Sequence, residues 1–181
     1  MGNEHSSLVL ASGSATRRAL LEAAGLTIEV CPADVDETAI RDSMLASNAA
    51  VSHESVAAAL AAAKAKAVSA KSTGTLVMGA DQVLSFEDRL FEKPTSVEEA
   101  RAQLMQLRGK THALHSAVAL ARNGAVEWRT TETAYLTFRT FSEAALDAYL
   151  ARAGKAVMTS VGAYQIEGPA IQLFEKIDGD H

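Results

Sequence analysis

Cysteine is almost missing from this chain: Cys31 is the only one in 181 residues. A single thiol cannot close an internal disulfide and leaves no cysteine spacing for a zinc site. The sequence therefore excludes a disulfide scaffold and fits a reducing compartment, with Cys31 expected to be a packing residue and not a nucleophile. Long apolar runs are absent as well. Nowhere do about 18 apolar residues follow one another, and the start MGNEHSSLVLASG puts no cationic segment ahead of an apolar one. No membrane span or leader is expected, and the chain reads as cytoplasmic. An excess of positive charge is also lacking. Seventeen Lys and Arg stand against 22 Asp and Glu, a formal net charge of −5, so nucleic acid or an anionic membrane feels no global attraction. With aromatics at 5% there is no aromatic and basic surface of the kind single-stranded nucleic acid needs. Any anionic ligand must be held locally.

What is present fits one compact unit of ordinary size, with no linker or repeat. Leu8 to Ala11 reads as a short buried strand. Ser12, Gly13 and Ser14 supply a turn and an N-cap for a helix from Ala15 to Ala24, closed by Gly25. TIEVCPADVDE reads as a second strand, broken at Pro32, that runs into an acidic loop. Ser52 is placed to cap a long helix ending near KSTG, whose alanines read as a helix-forming surface choice. TLVMGADQVLSF is the strongest strand signal, and FEDRLFEK fits a hairpin behind it. Thr95 and Glu98 fit a capping box for a helix ended by Gly109, and Asn123-Gly124 fits a hairpin turn. A helix from Ser142 to Gly154 and a last β-rich stretch, GAYQIEGPAIQLFEKIDG, complete the order. Early alternation of strands and helices followed by a meander predicts an α/β domain with a mixed sheet.

Several residues carry possible chemistry. In LASGSATRRALLEAAG, free backbone N–H groups at a helix start, the serines Ser12 and Ser14, and an early arginine suit a phosphate oxygen; Ser14 acting merely as a cap, with Arg17 and Arg18 solvated, is the competing reading. Asp81 interrupts the apolar run TLVMGADQVLSF and is expected at the end of its strand. A carboxylate there needs a metal, a cation or a proton, or else marks a turn. Glu37 and Lys93 sit at element ends that reach the same crevice or remain solvated loop charges. His112 and His115, three apart in a strand, point to opposite faces and cannot chelate one metal together. His5, His53 and His181 have no sequence partner, and no local motif suggests a Ser-His-Asp arrangement.

The segments LASGSATRRALLEAAGL, VDE, AKAKA, GADQVLSFEDRLFEKP, QLMQLRGKTH and GAYQIEGPAIQLFEKIDGD, in this order, resemble the Maf family of nucleoside triphosphate pyrophosphatases from Leu8 to Gly179, as a single domain over 8–179. The family opening Ser-x-Ser-Pro-Arg-Arg is altered: Ala15 replaces the proline and Thr16 the first arginine, leaving Arg17. Thr16, Asp81-Gln82 and Glu167-Gly168 side with the 7-methyl-GTP pyrophosphatase branch. The resemblance implies an α/β fold like that of inosine triphosphatase, a twisted mixed β-sheet flanked by helices with a nucleotide cleft between two lobes. It implies hydrolysis between the α and β phosphates, with Mg²⁺ or Mn²⁺ as the divalent metal cofactor, and a homodimer.

By matching, Asp81 is the catalytic proton acceptor or a metal ligand. Ser12, Ser14, Arg17, Lys64 and Lys93 hold phosphate, Glu37 suits metal, and Thr16, Gln82 and Glu167 face the base. A carboxylate at Glu167 suits guanine N1–H and the positive charge of a methylated purine. Family members continue past DGD into a Gly-Leu-Pro stretch and a closing helix, a segment expected to be lacking here. The rival expectation is a nucleotide-binding regulator of septum formation without turnover, which would have no need of Asp81.

Overall fold

The computed structural model describes residues 8–47 and 51–179; His5 and His181 lie outside them. The described residues form β1 (Leu8–Leu10), α1 (Ala15–Ala23), β2 (Ile28–Val30), α2 (Glu37–Ser47), α3 (His53–Ser69), β3 (Val77–Phe86), β4 (Arg89–Phe91), α4 (Val97–Leu107), β5 (Thr111–Arg122), β6 (Ala125–Phe138), α5 (Glu143–Ala153) and β7 (Phe174–Asp178). The strands make a mixed seven-stranded sheet in the order β2-β1-β3-β5-β6-β7, with β4 paired to β3. β1 runs parallel to β2 and β3, whereas β4 is antiparallel to β3 and β7 to β6. This is the mixed α/β architecture predicted from the alternation of elements.

Two compact units share the chain: the described residues up to Asp81 with Ser116–Thr131, and Gln82–His115 with the described residues from Glu132 onward. In the first, Val9, Ala11, Val68 and Val77 form a buried cluster. Ser14 and Ser52 cap α1 and α3, accepting from the backbone N–H of Arg17 and Ser55. Three of the alanines of α3 are core residues and not a surface choice. Ala57, Ala61 and Ala65 are fully buried, and their small side chains bring the helix axis close to the strand beneath.

In the second unit, Phe138 stacks against Phe174 with ring centres 4.6 Å apart and meets Tyr164 and Phe141 edge-on. Leu84, Leu104, Leu107, Leu136 and Leu146 fill the same core. The cap of α4 sits one residue later than the expected Thr95–Glu98 pair. Ser96 accepts from the Glu99 N–H, and the Glu99 carboxylate accepts from the backbone N–H and hydroxyl of Thr95 at 2.7 and 2.8 Å.

The last stretch is mostly not β. It begins in a 3-10 turn at Val161–Ala163 and enters another at Pro169–Leu173, and only Phe174–Asp178 is a strand; one more 3-10 turn, Gly154–Met158, precedes it. Positive φ at Gly162 and Ala163 and a proline at the start of the third turn break the extended backbone that the side-chain pattern suggested. Cys31 is exposed rather than packed, because it follows the strand at the outer edge of the sheet.

Candidate active site

Of the three parallel strands of the first unit, β1 and β2 end side by side. β1 pairs with β3 only as far as Leu10 opposite Met78, with one more bond from Ala11 N–H to the Met78 carbonyl. Beyond that point β1 leads into Ser12-Gly13-Ser14 and the start of α1, and β2 leads through an irregular loop to Glu37, the first residue of α2. β3 alone continues. Asp81 is thus interior to a ten-residue strand, not at its end, yet it lies just past the end of the parallel ladder. Ligands of open α/β sheets gather at such carboxyl ends.

Alternation along β3 turns Val77, Gly79 and Asp81 to one face. On α3, Val56, Leu60, Lys64 and Val68 belong to the buried stripe, so Lys64 is drawn inward while Lys66 stays exposed. The Lys64 ammonium donates to Asp81 Oδ1 at 2.5 Å and also lies 3.0 Å from Glu37 Oε1. Side-chain exposure is 10% for Lys64, 8% for Asp81 and 52% for Glu37. The lysine and aspartate are therefore desolvated together, while Glu37 stays wet. Burial pushes the Asp81 carboxyl above the usual aspartate range. The charge and hydrogen bond of Lys64 pull it back, Glu37 adds a smaller upward push, and Arg17 a smaller downward pull.

The serine loop resolves its two competing readings into two roles. Ser14 Oγ caps α1 at Arg17 N–H, 3.3 Å away, while Ser12 Oγ accepts from the Ser14 N–H at 3.3 Å and from Arg17 Nη1 at 3.0 Å. Arg17 Nη1 also donates to the Ala80 carbonyl at 2.9 Å, which ties the start of α1 to β3 beside Asp81. Burial lowers the Arg17 pKa, and the charges of Asp81 and Glu37 oppose that fall. Arg18, by contrast, pairs with Glu22 in the open at 2.8 Å. Thr16 stands half-buried in the first turn of α1.

The structure thus brings Ser12, Ser14, Arg17, Glu37, Lys64 and Asp81 together within the first unit. Gln82, Lys93 and Glu167 belong to the second unit. Gln82 follows Asp81 in β3, and Lys93 and Glu167 are exposed. His112 and His115 are buried with separate partners, His112 Nε2 at 2.7 Å from the Tyr164 hydroxyl and His115 between Ser85 and Thr133. Both are hydrogen-bonded side chains of the interior. Sequence reasoning missed the Ala80 carbonyl as an anchor for Arg17. No residue type signals a backbone acceptor.

Among the described residues no group of three or more His, Cys, Asp or Glu side chains gathers as a protein cage for a metal. Glu37 and Asp81 nonetheless share one cation through their oxygens, in the form of the Lys64 ammonium. Hard oxygen donors numbering one or two, completed by substrate phosphates, are the set that suits Mg²⁺ or Mn²⁺. The residues present fit such an ion.

Arg17, Glu37, Lys64 and Asp81 thus form a cluster of charged groups just past the parallel ladder of an α/β sheet. A family model described as Maf-like protein matches residues 7–181, and the chain belongs to the Maf family. It is 49% identical over 174 residues to the 7-methyl-GTP pyrophosphatase of Brucella abortus biovar 1 (strain 9-941), covering 96% of this chain and 86% of that protein. It is 51% identical over 172 residues to the nucleoside triphosphate pyrophosphatase of Paramagnetospirillum magneticum (strain ATCC 700264 / AMB-1), covering 95% and 88%. Against the protein of that same name from Caulobacter vibrioides (strain ATCC 19089 / CIP 103742 / CB 15) the identity is 47% over 174 residues, covering 96% and 86%. No helix among the described residues is long and apolar enough to cross a membrane.

Proposed function

We propose that this protein is a nucleoside triphosphate pyrophosphatase that acts on modified nucleotides, 7-methyl-GTP first among them. The observation that carries the reaction is the buried contact between the Asp81 carboxyl and the Lys64 ammonium, just past the end of the parallel ladder. A carboxyl made more basic by burial, with a cation in contact to oppose that shift, suits a general base for water. A module that only bound nucleotide would gain nothing from desolvating it.

In this reading Ser12, Ser14 and Arg17 hold phosphate oxygens with their hydroxyl, backbone and guanidinium donors, and Lys64 and Lys93 neutralise triphosphate charge. Water attacks phosphorus at the α–β bridge and gives its proton to an Asp81 oxygen. The new P–O bond forms as the bridging P–O bond breaks, leaving the nucleoside monophosphate and pyrophosphate. Glu37 and Asp81 are the residues that would hold a divalent ion, which supplies charge neutralisation at the phosphates. Thr16, Gln82 and Glu167 are assigned to the base by their motif positions. A homodimer is part of the same reading, checked by light scattering on the eluting protein.

The test is pyrophosphate release from a panel of standard and modified nucleoside triphosphates with Mg²⁺ or Mn²⁺, for wild type and Asp81→Asn. Turnover led by 7-methyl-GTP and abolished by Asp81→Asn is the expected result. Retained nucleotide binding with no turnover of any nucleotide would reject the enzyme and favour the regulator.

A further inference from the structure

Gly79 lies two residues before Asp81 on the same face of β3, under the helix that carries Lys64. A Cβ at position 79 would run into the Ala61 carbonyl oxygen and would come within 2.6 Å of Ala65 N and 2.9 Å of Ala65 Cβ. Two of those three atoms are backbone, so no rotamer change could clear them. The backbone at Gly79 does not have the positive φ that would by itself demand glycine. Its missing side chain therefore serves close approach alone. The seam is continuous: Val77 packs with Val68, Gly79 faces Ala61 and Ala65, and Asp81 receives Lys64. Ala61 and Ala65 lie one turn apart on α3 with Lys64 just before Ala65, so the spacing set at Gly79 is also the spacing across which the ammonium must reach.

We propose that Gly79 is a positioning residue for this site: by carrying no side chain it seats α3 on β3 closely enough for Lys64 to contact Asp81. A methyl group there lifts the helix, opens the ion pair and lets water in between the two charges. The consequence for turnover rests on the reading of Asp81 and Lys64 given above; the positional part does not.

The experiment puts Gly79→Ala into wild type and into Lys64→Met and takes two readings. The first is the ¹H–¹⁵N signal of the Lys64 ammonium, identified as the one that Lys64→Met removes. Its loss or displacement in a Gly79→Ala protein that still melts cooperatively is expected, and an unchanged signal overturns the proposal. The second is a kinetic cycle. Gly79→Ala is expected to lower kcat about tenfold or more with KM altered by less than about threefold, and to lower kcat by less than about twofold once Lys64 is Met. Losses that simply multiply would mean a general structural effect and overturn it. Should Gly79→Ala fail to fold, Ala65→Ser presses the same seam from the helix side and passes through the same cycle. Full turnover in Asp81→Asn would sink the catalytic reading instead, and the ammonium signal would still decide the positional one.

Discussion

The ammonium of Lys64 sits 2.5 Å from Asp81 Oδ1 across 17 positions of chain, with both side chains almost wholly withdrawn from water. Neither group could be buried alone. Desolvating an isolated charge costs far more than a surface ion pair returns, whereas a contacting pair largely cancels that cost.

Breaking the pair from one side should therefore be expensive. Lys64→Met is expected to destabilise the fold by about 3 kcal/mol by leaving Asp81 buried with weaker compensation, and adding Asp81→Leu should restore most of the loss. Urea unfolding of the three proteins checks this; a double variant no more stable than the single one contradicts it.

The two neighbouring arginines should behave differently. Arg17 is held at Ser12 and Ala80 inside the site, while Arg18 pairs with Glu22 in solvent. Arg17→Ala is expected to weaken nucleotide binding about tenfold or more, and Arg18→Ala to leave it within about twofold. Calorimetric titration with a slowly hydrolysed nucleotide analogue separates them, and equal effects would return the loop to a plain helix cap.

Stability should fall in mild acid through His112. Burial holds its pKa near 4 in the folded protein, against about 6.5 in the unfolded chain. The unfolded state thus binds the extra proton first. Stability from this residue is complete above about pH 6.5, declines as pH falls, and levels off below about 4; between pH 6.5 and 5 the loss is about 2 kcal/mol. His112→Phe should flatten that dependence, although the Tyr164 hydroxyl loses its partner. Urea midpoints at the two pH values measure it.

Base preference should depend on Glu167. Its carboxylate can accept from guanine N1–H and the exocyclic amine, and it favours the positive charge of a methylated purine. Glu167→Gln is expected to shift relative kcat/KM away from 7-methyl-GTP. Unchanged ratios across the nucleotide panel would remove Glu167 from the specificity set.

The sequence by itself determined the features written in local chemistry. Ser14, Ser52 and Ser142 cap helices as their side chains allow. Asn123 and Gly124 take φ of 50° and 79° at the expected turn, and the order of elements follows the hydrophobic pattern. Asp81 stands out as a charge inside an apolar run, and the ordered motifs by themselves point to the Maf family. Tertiary structure decided what depends on contacts between distant residues. It put Asp81 within β3 and not at its end, took Lys64 and left Lys66 in solvent, and exposed Cys31 at the sheet edge. It also turned Ala57, Ala61 and Ala65 of α3 inward and bent part of the last apolar stretch into 3-10 turns. The physical reason is that propensity and capping act over a few residues, whereas burial of a charge is settled only when a helix and a strand pack. Here that packing brings Ala61 and Ala65 onto Gly79, and so Lys64 onto Asp81.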